Sequence, residues 1–139
     1  MELNRKKFET ELHGKKLVIE SSRLAEQANA AVIGSWGGTT VLATAVMMGN
    51  DSPKDYLPLT VEFEERFYAA GKILGGRYMR REGRASENAI LSARIIDRTI
   101  RPLFDQRVRR DIQVVITVLS YEAESNPVLL GLVSASAAL

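Results

Sequence analysis

A chain of 139 residues, 45% hydrophobic and 26% charged, is long enough for one packed domain and globular rather than disordered in composition. It holds no cysteine, which excludes a disulfide framework and any thiolate metal site. The formal net charge is only +2, yet between Arg77 and Arg110 ten arginines meet four acids, a local net of +6. Charge concentrated in this way is the electrostatic footprint of a surface for a polyanion, against the alternative of a solvated face with salt-bridge partners elsewhere.

The opening MELNRKKFETEL has no apolar core region and carries Glu2, Glu9 and Glu11. It reads as neither a secretory signal nor a transit peptide, and a cytoplasmic chain is expected. KKLVIES (15–21), preceded by the turn pair His13-Gly14, implies a strand and a hairpin. NAAVIGSWGGTTVLATAVMMG (29–49) implies two strands around a glycine turn at Gly34 to Gly38, the second so apolar that both of its faces should be covered. NDSPKD (50–55) is expected as loop. In YLPLTVEFEERF, Leu57, Leu59, Val61 and Phe63 alternate with Pro58, Thr60, Glu62 and Glu64, the period of a half-buried strand.

YAAGKILGGRYMRREGRAS (68–86) is glycine-rich and basic without periodicity, as for an extended functional loop. Ser86 suits an N-cap for the helix ENAILSARIIDRTIRPLF, with Glu87 in its first turn and Pro102 near its stop. At 100° per residue, Ala89, Ala93, Ile96, Ile100 and Leu103 form one stripe; Arg94, Arg98 and Arg101 form another, within roughly 60° of each other. The three arginines are either contacts for a polyanion or structural cations, with Asp97 available to brace one of them. The helix N-terminus adds its own partial positive charge just beyond the loop. DIQVVITVLSY (111–121) is a buried strand, and Asn126-Pro127 opens an apolar helix, PVLLGLVSASAAL. That helix is apolar nearly all round, so it is expected inside a larger body, with the chain a fragment. It is also far short of the ~20 residues that span a bilayer. No membrane association is expected. Strands, a helix, a strand and a helix make an α+β layered fold.

RYMRREGRASENAILSARIIDRTIRPLF, with PLTVEFEERFYAAGKILGG before it, resembles the first core domain of the polynucleotide phosphorylase (polyribonucleotide nucleotidyltransferase) family. There, two aromatics and two arginines precede an E-G-R segment and a helix ending in I-D-R-x-I-R-P-L-F. The similarity runs from KKLVIES to SASAAL. It implies that residues 1–139 are the N-terminal portion of the first RNase PH-like core domain, truncated at its C-terminus, without the second core domain, the KH domain and the OB-fold domain. It implies an enzyme that degrades RNA from its 3′ end with inorganic phosphate as co-substrate, releases nucleoside diphosphates and runs in reverse as a polymerase. It further implies a homotrimeric ring as full-length protein, single-stranded RNA as partner and association with RNA-degradation assemblies. Mg²⁺ is implied for the full-length enzyme, held by residues outside this chain.

On the family pattern, Arg80 and Arg81 are the paired loop arginines that grip single-stranded RNA, and Arg84 is the E-G-R arginine, also an RNA contact. Tyr78 offers a base-stacking ring. The family commonly has two phenylalanines where this chain has Tyr78 and Met79, and prolines where it has Ala85 and Thr99. No catalytic residue is expected in this segment, and no metal ligand. His13 sits in a turn, and Glu62 and Glu64 are the solvent face of a strand rather than a carboxylate cluster with Glu65. GKILGG is not a phosphate-binding P-loop, since its lysine follows the first glycine and no Ser or Thr comes after it. Two alternatives stand beside the phosphorolytic enzyme: a non-catalytic RNA-binding or ring-forming module of the same fold, and a single-domain nuclease or exosome-type subunit.

Overall fold

The computed structural model describes residues 5–21, 24–73, 75–76, 78 and 82–139. Six strands form one sheet: β1 (Lys6–Leu12), β2 (Lys15–Ser21), β3 (Ala30–Trp36), β4 (Thr39–Asp51), β5 (Leu59–Glu64) and β6 (Arg110–Ser120). Their order across the sheet is β1-β2-β3-β4-β6-β5. All neighbours are antiparallel except β5 and β6, which run parallel. A parallel pair needs a crossover, and helix α1 (Glu87–Ile100) provides it; α2 (Pro127–Ala138) follows β6. The α+β expectation therefore holds.

Register explains the core. Val32 pairs with Ala43, Ala43 with Ile116, and Ile116 with Phe63, so four strands present one apolar row on the same face. Both helices cover that face. α2 sits over β3 and β4, and α1 over β5. The expectation that β4 is covered on both faces is corrected: Val41, Ala43 and Ala45 are buried, while Thr40, Leu42 and Thr44 are half-buried. β4 also continues to Asp51, into the segment expected as loop. Gly34 lies inside β3 rather than in the turn, because α2 crosses there and a β-carbon would collide with the Ser134 hydroxyl.

The β3–β4 turn is Gly37-Gly38. Gly37 has φ +57°, and a β-carbon on it would stand 2.5 Å from a Glu122 carboxylate oxygen, so both backbone and space require glycine. That carboxylate binds the turn to the β6–α2 loop, accepting from Gly38 N–H at 2.9 Å and from Lys15 Nζ at 3.0 Å. Buried Thr39 completes the joint, accepting from Glu122 N–H and donating to the Ser125 carbonyl, each at 2.9 Å. Asn126 caps α2 by accepting from Val128 N–H, with Pro127 at the first helical position. The outer side of α2, with Leu129 and Val133, is exposed. No helix among the described residues is long and apolar enough to cross a membrane.

β1 is an edge strand, exposed along nearly its whole length. Lys7 and Lys16 close on Glu9 at 2.6 Å each, which puts charge on an edge that would otherwise template further pairing. Hydrogen bonds from Lys16 and then Lys7 hold the Glu9 carboxyl at about 2 against an ordinary 4.5. The Gly38 N–H and then Lys15 lower Glu122 as well. Both groups are depressed in the folded state. Their contribution is therefore complete above about 4.5 and lost as pH falls, for Glu9 through about 2. The melting temperature is expected to be flat near neutrality and to decline over that acid window, less steeply in high salt because both groups are exposed. A Glu9 side-chain NMR titration with its midpoint at 4.5 rather than 2 would remove its part in this account.

Candidate nucleic-acid interface

β5 delivers the chain to the basic segment, and α1 leads away from it. After Glu64 the backbone turns through a short 3-10 helix, Phe67–Ala70, ended by Gly71 at φ +66°. α1 begins at Ser86, whose hydroxyl accepts from Ala89 N–H at 3.0 Å. The same hydroxyl donates to Glu65 at 2.8 Å. The Ala89 N–H at the helix N-terminus is thus already satisfied, with the carboxylates of Glu65 and Glu87 at its positive end.

The one acid of RYMRREGR is also committed. Glu82 accepts from Arg66 Nη1 at 3.3 Å and from the Phe67 backbone N–H. Arg66 bridges onward, its Nη2 reaching Glu64 at 2.7 Å, and Glu64 accepts from Thr117 Oγ1 at 3.3 Å. The Glu64 hydrogen bond comes first among the influences that raise the Arg66 pKa, so its charge is permanent. Glu64 is therefore a half-buried bracing group rather than open solvent face, while Glu62 is exposed. Arg66, which sequence reasoning misses, is the bridge between the strand end and the loop acid. Its signal is the strand-end EFEER, whose alternation places Glu64 and Arg66 on the same side.

Arg84 is exposed and has no partner among the described residues. It borders a groove of about 630 Å³ whose walls include Arg66, Phe67, Lys72 and Glu82. Tyr78 is 91% exposed, as a stacking ring requires. Arg80 and Arg81 lie outside the described residues. Phe67 and Tyr68 add exposed rings nearby in the chain.

Along α1 the three arginines separate. Arg94 and Arg98 are exposed, again without partners among the described residues. Arg101 is consumed within the fold. Its Nε and Nη2 donate to Asp97 at 3.1 and 2.7 Å, its Nη1 to the Leu57 carbonyl at 3.3 Å and its Nη2 to the Leu59 carbonyl at 3.0 Å. Downstream, Arg107 grips Asp105, Arg110 pairs with Asp51, and Arg109 donates to the Gln106 and Val108 carbonyls. The cationic surface is narrower than the local net charge implies: Arg84, Arg94 and Arg98 remain free among the described arginines of that run.

Among the described residues no group of three or more His, Asp or Glu side chains gathers to hold a metal ion. Glu64 and Glu65 are engaged by Arg66 and Ser86, so they do not fit a Mg²⁺ site. His13 stands in the β1–β2 turn at φ 52°.

The sequence model of the 3′ exoribonuclease family, domain 1, matches residues 13–139. Similar sequences include the polyribonucleotide nucleotidyltransferase of Pseudothermotoga lettingae, 53% identical over 96% of this chain and 19% of that protein. That of Methylobacterium sp. strain 4-46 is 55% identical over 91% of this chain and 17% of its own length. The chain thus spans less than a fifth of these relatives. Solved structures of similar shape include an Archaeoglobus fulgidus exosome with RNA bound to the active site (TM-score 0.60, 19% identity, 98% of this chain and 50% of that one). Rice Rrp46 gives a TM-score of 0.61 at 12% identity, over 98% of this chain and 53% of that one. At such identities the likeness establishes the fold, which is RNase PH-like.

Proposed function

Because the chain belongs to the 3′ exoribonuclease family, through its RNase PH-like domain 1, we propose that it is the N-terminal portion of the first core domain of a polyribonucleotide nucleotidyltransferase. In this reading the complete protein is a cytoplasmic homotrimer that takes single-stranded RNA and inorganic phosphate, with further core, KH and OB-fold domains beyond this segment. A phosphate oxygen attacks the phosphorus of the terminal phosphodiester. The bond to the preceding 3′ oxygen breaks, a nucleoside diphosphate leaves, and the proton given up by the attacking hydrogen phosphate ends on the new 3′-hydroxyl of the shortened RNA. Mg²⁺ would supply charge neutralisation there. The donor set described above does not suit that ion, and no step is assigned to it in this segment.

The role of this segment is to hold the strand. The observation that carries the reading is the set of exposed arginines at the loop and helix, Arg84, Arg94 and Arg98, unpaired among the described residues, with the acid nearest Arg84 already engaged by Arg66. Arg80 and Arg81 join them on the family pattern, and Tyr78 offers a ring to an unstacked base. Guanidinium groups meeting phosphates release counterions, which makes such binding strong at low salt and independent of base sequence. Positioning the strand converts attack at its terminus into an effectively unimolecular step.

The test is phosphate-dependent release of nucleoside diphosphates from single-stranded RNA by the complete protein. Release of monophosphates without phosphate would replace phosphorolysis by hydrolysis. The 139-residue chain alone is expected to bind RNA without turning it over; robust turnover would bring the chemistry into this segment. Arg80→Ala with Arg81→Ala is expected to weaken RNA binding and to flatten its salt dependence, by ~0.7 in slope for each phosphate no longer neutralised. No turnover by the complete protein, with RNA binding retained, would favour the non-catalytic module.

A further inference from the structure

Arg84 lies midway between two fixed points of the loop. On one side both oxygens of Glu82 are engaged, Oε2 by Arg66 and Oε1 by the Phe67 N–H. On the other, the Ser86 hydroxyl donates to Glu65 and caps α1. The first anchor continues into the sheet, since the planar Arg66 guanidinium also holds Glu64, and Glu64 accepts from Thr117 on β6. A planar guanidinium holds two carboxylates in a rigid fork, whereas a rotatable ammonium on a flexible stem does not fix their geometry.

We propose that the Thr117–Glu64–Arg66–Glu82 chain, with the Glu65–Ser86 bond, is a positioning device that presents Arg84 to single-stranded RNA, Glu82 and Arg66 being its positioning residues. The inference rests on the RNA-gripping role argued above. It accounts for an acid in the middle of a polyanion surface. A free Glu82 would repel phosphate and neutralise the arginine two residues away. Turned toward Arg66, it spends its charge inside the fold and leaves Arg84 facing the groove. A side chain held in its binding arrangement avoids the loss of affinity that comes with a rarely populated competent state.

The sign of one substitution separates this from simple electrostatics. Glu82→Gln removes a negative charge beside an anion site, so Coulomb forces alone would tighten RNA binding. Positioning predicts the opposite, binding weakened roughly three- to tenfold as Arg84 leaves its arrangement for part of the time. In an Arg84→Gln background the same Glu82→Gln change should no longer weaken binding, because the weakening acts through the arginine. The measurement is fluorescence anisotropy of labelled oligoadenylate on the purified protein, with thermal melts confirming that each variant folds. Should Glu82→Gln fail to fold, Arg66→Lys is the second variant. It keeps the charge but lacks the rigid planar fork that fixes both acids, and is expected to weaken binding in the same way. Unchanged or tighter binding in folded Glu82→Gln or Arg66→Lys, while Arg84→Gln alone weakens it, overturns the positioning device and leaves the RNA-gripping reading intact. If Arg84→Gln changes neither affinity nor salt slope, Arg84 does not touch RNA, and the underlying reading loses it.

Discussion

Ile96→Ala is expected to lower the unfolding free energy by roughly 2–5 kcal/mol. Ile96 is fully buried in the middle of α1, where the helix meets the sheet and α2 together. α2 comes so close that a β-carbon on Gly131 would lie 3.6 Å from Ile96 Cδ1 and 3.1 Å from both Ile116 and Phe63. Deleting three side-chain carbons there leaves a cavity walled by two helices and two strands, none of which can collapse without disturbing register. Leu103 is the internal control. Periodicity puts it on the same apolar stripe, yet the helix ends at Ile100, and Leu103 sits 75% exposed in the 3-10 turn that follows. Leu103→Ala should stay within about 0.5 kcal/mol of the parent. Urea titration reads both, as a shift in midpoint at unchanged slope. Equal costs at the two positions would mean that α1 does not pack as described.

The contrast between Ile96 and Leu103 marks what the sequence makes legible. Elements whose signals are local are readable: the Ser86 cap, the Asn126-Pro127 start and the alternation at Leu59, Val61 and Phe63 all lie within a few residues of what they specify. The hairpin partner β1 is only implied, because KKFETEL is a charged, exposed edge whose pairing is decided by β2. Long-range partners are not legible. Glu82 meets Arg66 across 16 residues and Arg101 meets the Leu57 carbonyl across 44. A charge count treats all ten arginines of the run as alike, and only the fold distinguishes those already neutralised. For the candidate site, residue types and their neighbourhood are readable, whereas the division of labour among them is not.

That division yields the second large effect. Replacing Arg94 and Arg98 together with glutamine should reduce the salt slope of single-stranded RNA binding by about 1.4, which is ~0.7 for each of two phosphates left without its arginine. The melting temperature should not change. Both guanidinium groups are exposed and, among the described residues, unpaired, so removing them disturbs nothing inside the fold. Arg101→Gln should do the reverse. It leaves the slope untouched, because that guanidinium is spent on Asp97 and on two carbonyls at the start of β5. Its loss takes a donor from both carbonyls, of which that of Leu57 keeps the Leu59 N–H, and leaves the half-buried Asp97 without its arginine. The expected cost is about 1–2 kcal/mol of stability, toward the lower end because the pair is partly open to water. Three arginines on one helix face would then sort into two classes by two independent measurements. A lower slope for Arg101→Gln, or a destabilised Arg94→Gln/Arg98→Gln protein with its slope intact, would reverse the assignment of the three arginines.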